Sequence, residues 1–197
     1  NQTVLVRYLE LARGEEPLRV SPPLRILVII SDPSDVAKLN VEAEWTRIND
    51  ALVPLQGNGL LNVERLEQAT LPALQHRLRQ EPPVHILHFI GHGYFEPGSD
   101  ENQGGTGGLI FEEPDRRSNM VAAAELATIL HDHKSLRLLF LNACEGARGG
   151  RVDDFAGTAQ KLVQQGIPAV LAMQFEVTDK AAIQMAQEFY RATVNAY

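Results

Sequence analysis

From Leu24 onward, short apolar runs alternate with longer amphipathic stretches, and this alternation constrains the fold more than any other feature of the chain. The runs at 25–31, 61–66, 84–90, 136–141 and 169–174 read as strands. Several are apolar at successive positions, as a strand covered on both faces must be. The stretches at 41–55, 70–80, 122–131, 155–165 and 178–193 read as helices. Two of these have legible ends: Thr70 stands at an N-cap with Pro72 in the first turn, and Gly166 stands at a C-cap before Ile167-Pro168. Strands and helices in strict alternation predict an α/β fold, a three-layer sandwich whose mostly parallel sheet is covered by helices on both faces. No internal repeat interrupts the pattern.

One segment breaks the rhythm. Residues 96–106 are polar and glycine-rich, and Gly107-Gly108-Leu109-Ile110-Phe111-Glu112 follows them, which predicts a loop and then a small strand in a hairpin at the sheet's end. The run Gly104-Gly105-Thr106-Gly107-Gly108 invites a phosphate-loop reading, but phosphate loops lie between a strand and a helix, and here a strand pattern follows. Glycine-rich runs are usually flexible linkers, which is the preferred reading here over nucleotide binding.

At 197 residues the chain has room for one core. Its formal charge of −7 opposes duplex nucleic-acid binding, which needs a basic face. The longest apolar stretches, 26–30 and 167–173, fall far short of the roughly 20 residues that cross a bilayer. Residues 1–23 read as a lead-in from an upstream module, with a short strand at Val4-Leu5-Val6-Arg7-Tyr8-Leu9 and a breaker at Pro22-Pro23. The domain proper is expected at 24–197 and to continue beyond it, because the final helix has no stop signal.

Cys144 is the one cysteine, which excludes an internal disulfide or a multi-cysteine metal cage and fits a reducing, cytoplasmic setting. The strand at 136–141 runs into Asn142-Ala143-Cys144-Glu145-Gly146, and the strand at 84–90 runs into Gly91-His92-Gly93. Both motifs are expected to leave the carboxyl ends of their strands, the rim where ligands and catalytic groups gather in an open parallel sheet. On adjacent strands, about 4.8 Å apart, His92 could lower the pKa of the Cys144 thiol or accept its proton during attack. Backbone N–H groups of Gly93 and Cys144 could then meet an oxyanion. Taken singly, a cysteine in apolar surroundings is usually a small core residue and a histidine at a strand end a satisfied hydrogen-bonding group. The pairing favours chemistry, since His92 stands 52 residues before Cys144 and a catalytic histidine about 50 residues upstream is an established spacing.

The remaining polar groups fit other roles. His88 and His92 would share a strand face about 13 Å apart, with His85 on the other, so the three cannot hold one ion. His88 reads as a buried hydrogen-bonding residue beneath the site, and His76, His131 and His133 as surface groups at helix ends. The adjacent carboxylates Asp153-Asp154 and Glu112-Glu113 diverge and read as solvated charge.

His88-Phe89-Ile90-Gly91-His92-Gly93, followed by Leu141-Asn142-Ala143-Cys144-Glu145-Gly146-Ala147, resembles the CHAT domains, caspase-like cysteine peptidases often found beside tetratricopeptide repeats in bacteria. The likeness runs from about Leu24 to the end and includes Phe155-Ala156-Gly157 through Gly166-Ile167-Pro168-Ala169-Val170 to Met173-Gln174. The resemblance implies a cysteine endopeptidase with His92 as general base, Cys144 as nucleophile and an oxyanion hole at the Gly93 and Cys144 amides. It implies no cofactor or metal, a protein or peptide substrate, and activity latent until a repeat domain or partner protein switches it on. Neither nucleic acid nor membrane is expected to touch the domain. In related caspases a glutamine two residues before the nucleophile lines the substrate pocket; here that residue is Asn142, and Glu145 also departs from the caspase pattern. Aspartate preference is therefore not implied, and Glu145, Asp154 or Glu176 could instead favour a basic side chain. The competing expectation is a catalytically silent module that holds a peptide on the same rim.

Overall fold

The computed structural model describes residues 21–96, 105–144, 154–172, 184–185 and 188–193, without the side chains of Ala51, Cys144 and 154–157. Its elements run β1 (Leu24–Ile30), α1 (Val41–Gly57), β2 (Leu61–Arg65), α2 (Leu71–Leu78), β3 (Ile86–Glu96), β4 (Thr106–Glu112), β5 (Ser118–Ala122), α3 (Ala123–His131), β6 (Leu138–Cys144), α4 (Asp154–Gln164) and β7 (Val170–Ala172). A further helical segment lies at 188–193. All seven strands join one sheet. The pairs β1–β2, β1–β3, β3–β6 and β6–β7 are parallel, whereas β3–β4 and β4–β5 are antiparallel.

The sheet separates two apolar layers, as side-chain alternation requires. Leu27 and Ile29 of β1, Leu87 and Phe89 of β3, and Leu139 and Leu141 of β6 pack with Leu74 of α2, Leu126 and Leu130 of α3, and Leu162 of α4. On the other face Ile26, Val28, Ile86, Ile90 and Phe140 pack with Ile48 and Leu52 of α1 and with Tyr190. Helices on both faces of a mostly parallel sheet give the three-layer α/β sandwich expected. Each buried Leu, Ile or Phe contributes about 1.5–3 kcal/mol, so these two layers supply the main driving force.

The helix ends follow the sequence signals. Thr70 Oγ1 accepts the Ala73 N–H at 3.3 Å, capping α2 with Pro72 in its first turn. Gly166 adopts φ +98°, a left-handed conformation that suits glycine, and Ile167 N donates back to Leu162 O at 3.2 Å, closing α4. For the helix expected at 178–193, the described parts, 184–185 and 188–193, are helical, and the rest lies outside the described residues.

Three expectations are corrected. Among the described residues the sheet has seven strands: the five read as strands, β4 where the hairpin strand was expected, and β5, Ser118–Ala122, which is too polar to read as a strand alone and was not expected. β3 does not end at Ile90 but continues to Glu96, because β4 takes over its edge where β1 stops: Ser31 Oγ, just beyond β1, donates to Ile110 O of β4 at 2.7 Å. β6 likewise runs to Cys144 rather than Leu141, since its ladder with β3 continues to the His92–Cys144 pair. The glycines at 107 and 108 belong to β4 and are explained by packing. A Cβ at Gly107 would lie 2.2 Å from Thr158 Oγ1, and one at Gly108 would lie 2.1 Å from Val121 O.

Candidate active site

His92 and Cys144 are Cα partners in the parallel ladder between β3 and β6. Gly91-His92-Gly93 and Asn142-Ala143-Cys144 therefore lie within strands, not beyond them, and the ladder fixes their register, while 145 and 146 lie outside the described residues. The Cys144 position has the parity of Phe140 and Asn142, and His92 that of His88 and Ile90, so the two positions belong to one sheet face. The Cys144 thiol lies outside the described residues.

His92 is fully buried. Its Nε2 is 2.7 Å from Ala37 O in the loop between β1 and α1. A carbonyl only accepts, so Nε2 carries the proton, and in the neutral ring Nδ1 holds the lone pair. Among the described residues Nδ1 has no hydrogen-bond partner. Gly91 permits this arrangement by close packing: a Cβ there would lie 2.9 Å from Ser31 O and 3.0 Å from the Phe89 ring. Gly93 pairs with Leu109 of β4. The Ile90 carbonyl accepts Ser31 N–H on the β1 edge, so strand alternation turns the Gly93 amide to the opposite edge, that of β6.

Beneath the site, His88 Nδ1 and the Tyr190 hydroxyl are hydrogen-bonded at 2.9 Å. The His88 and Phe140 ring centroids are 4.4 Å apart, and Tyr190 stacks on Phe140 at 5.9 Å. Burial lowers the His88 pKa from 6.5 to about 3 and raises that of Tyr190, so both stay neutral. His88 is thus the buried hydrogen-bonding residue expected. His85 is bonded elsewhere: its Nδ1 accepts Arg25 N–H at 3.1 Å. Burial first, then Arg25 and Arg137, lower its pKa. His76 and His131 are exposed in the last turns of α2 and α3, and His133 is half-buried just beyond α3. Among the described residues no group of three His, Cys, Asp or Glu side chains could hold a metal ion. Within the same residues no helix is long and apolar enough to cross a membrane.

Asn142 is buried, and its Nδ2 donates to Glu44 Oε1 in the first turn of α1. Glu145 and Glu176 lie outside the described residues, as does Asp153, and Asp154 opens α4 with its side chain outside them. Glu112 is not solvated charge as expected. Its carboxylate is 12 % exposed and accepts the Asp32 N–H at 2.9 Å.

Sequence reasoning missed the Ala37 carbonyl and Glu44. They stand 55 residues before His92 and 98 before Asn142, and no local pattern links them. The available signal was the polar loop Ser31-Asp32-Pro33-Ser34-Asp35, which leaves the carboxyl end of β1 on the same rim.

No curated protein matches the chain at a significant level. The model of the CHAT domain family matches residues 5–196, nearly the whole chain. With its parallel His92–Cys144 register and helix-covered sheet, the chain belongs to the CHAT domain family and is related to the caspase-like peptidases.

Proposed function

We propose that this chain is a cysteine endopeptidase that cleaves a protein substrate through Cys144 and His92. The observation that carries the reading is the buried His92 ring, placed opposite Cys144 with Nε2 occupied by Ala37 O and Nδ1 left as its basic atom. The Cys144 thiol gives its proton to His92 Nδ1, and the sulfur attacks the substrate carbonyl carbon. The negative charge that develops on the carbonyl oxygen is met by the Gly93 and Cys144 amides. Protonated His92 then returns its proton to the leaving amine, which frees the first product and leaves an acyl-enzyme. Water, deprotonated by His92, hydrolyses the thioester and restores the thiol. The Ala37 carbonyl favours the imidazolium formed in between, because it accepts from Nε2–H of a charged ring.

The substrate side chain preceding the cut meets the position two residues before the nucleophile, Asn142. Since Asn142 is bonded to the Glu44 carboxylate, this pocket favours a basic side chain over aspartate. Support comes from the family membership and the register; Glu145, Asp154 and Glu176 remain further acidic candidates for the same pocket. No step draws on a cofactor, and the switch that activates the domain is assigned to a repeat domain or partner protein.

The experiment is cleavage of a native substrate by the intact protein under its activating conditions. Cys144→Ala is expected to abolish cleavage. Undiminished cleavage by Cys144→Ala contradicts the reading.

A further inference from the structure

The 31–40 loop that carries Ala37 is held to the β4–β5 hairpin at several points. Ser31 Oγ donates to Ile110 O, and Asp32 N donates to Glu112 Oε1 at 2.9 Å. Ser34 donates to Arg116 O through both its backbone N, at 2.7 Å, and its Oγ, at 3.0 Å. Arg116 Nη2 returns a bond to Asp32 O at 3.2 Å and lies 3.7 Å from Glu112 Oε1. Asp35 accepts from Ser118 twice, from N at 2.8 Å and from Oγ at 2.9 Å. Within the loop, Lys38 Nζ bonds Asp32 Oδ2 at 2.9 Å.

Arg116 sets the grip. It is the one described non-glycine residue with positive φ, +65°, a left-handed conformation that an ordinary side chain resists. Strain of this kind persists where surrounding contacts over-determine it, and it gathers at functional sites. Here the turn closes with Arg116 N donating to Glu113 O at 2.8 Å, and the strained residue presents its carbonyl to Ser34 and its guanidinium to Asp32. The contacts made to Ser31, Asp32, Ser34 and Asp35 fix the short span of chain that leads to Ala37, whose carbonyl is the described partner of His92 Nε2.

We propose that Asp35, Glu112 and Arg116 are positioning residues for His92, acting through the 31–40 loop to keep the Ala37 carbonyl on Nε2. The proposal rests on the peptidase reading. A loosened loop frees the imidazole to turn, so Nδ1 no longer faces the thiol, and it removes the acceptor that favours the imidazolium. The thiolate–imidazolium pair is then less stable and the Cys144 thiol titrates higher. The charged groups packed around the loop are Asp32 with Lys38, Glu112 with Arg116, and Asp35 near Arg117; against its desolvation, the Ser118 hydrogen bonds, with a smaller part from Arg117, hold the Asp35 carboxyl below its ordinary value.

The test is the pH profile of iodoacetamide alkylation, clean because Cys144 is the one thiol. In Asp35→Ala and in Glu112→Ala, alkylation near pH 6 is expected to fall by about tenfold, one unit of thiol titration, while the rate at high pH is unchanged. Glu112→Gln keeps an oxygen for Asp32 N–H and is expected to retain most of the wild-type rate. Asp35→Asn, at an exposed position, serves as the variant whose fold is not at risk. Variant profiles that superimpose on the wild type overturn the positioning role. A wild-type profile that is itself that of an ordinary thiol overturns the peptidase reading beneath it.

Discussion

The Tyr190 hydroxyl and His88 Nδ1 meet at 2.9 Å in a fully buried contact that ties the 188–193 helical segment to the central strand β3. Because His88 is neutral in the fold, with its pKa lowered to about 3, while an unfolded histidine titrates at 6.5, the unfolded chain binds the extra proton first. Stability is then fully present above the unfolded value and is lost as pH falls from 6.5 toward about 3. His85, also lowered, acts in the same direction. From about pH 7 to about pH 5 the His88 contribution is expected to fall by about 2 kcal/mol. Denaturant unfolding of the wild type and of a His88→Phe, Tyr190→Phe double variant over that range checks this: the double variant is expected to show the shallower pH dependence, and equal slopes contradict it.

Gly91 sits under Ser31 O, where a Cβ would approach to 2.9 Å with the Phe89 ring at 3.0 Å. Neither the backbone carbonyl nor a ring packed in the core can yield freely. Gly91→Ala is expected to destabilise the fold by about 1–3 kcal/mol, the range of overpacked cores, and to disturb the adjacent His92. Equilibrium unfolding measures the first effect and alkylation of Cys144 the second.

Glu44 reaches the site only through the fold, by way of Asn142. If its carboxylate shapes the pocket, Glu44→Gln lowers kcat/KM for substrates with lysine or arginine before the cut, with little effect on uncharged ones. A loss of about tenfold corresponds to about 1.4 kcal/mol. Competition between matched basic and neutral peptides on the activated protein reads this directly. Equal losses on both peptides remove Glu44 from the selectivity account.

The parts of the fold that rest on local chemistry were legible in the sequence. The run at Leu24–Ile30, the apolar part of β6 up to Leu141, the Thr70 cap and the Gly166 stop are each encoded within a few residues. The extent of β3 was not, because residues 93–96 pair with β4, which begins beyond a polar segment, and residues 91–92 with the end of β6. The same reason hid β5 and the role of Glu112, whose neighbour Asp32 is 80 residues away. Of the candidate site, the neighbouring positions of His92 and Cys144 were legible because each follows an apolar run, His92 between two glycines and Cys144 after Ala143. Ala37 was not legible, since it contributes a carbonyl and any residue carries one.

The central claim is that His92 and Cys144 act as one titrating unit, and the pH dependence of Cys144 alkylation in the wild type and in His92→Ala tests it most directly. With the dyad in place, the wild-type thiol reacts with iodoacetamide well below the ordinary thiol pKa of about 8.5, and His92→Ala moves that titration up to the ordinary value. A single titration near 8.5 in both proteins contradicts the account and leaves Cys144 an ordinary thiol in a non-catalytic module.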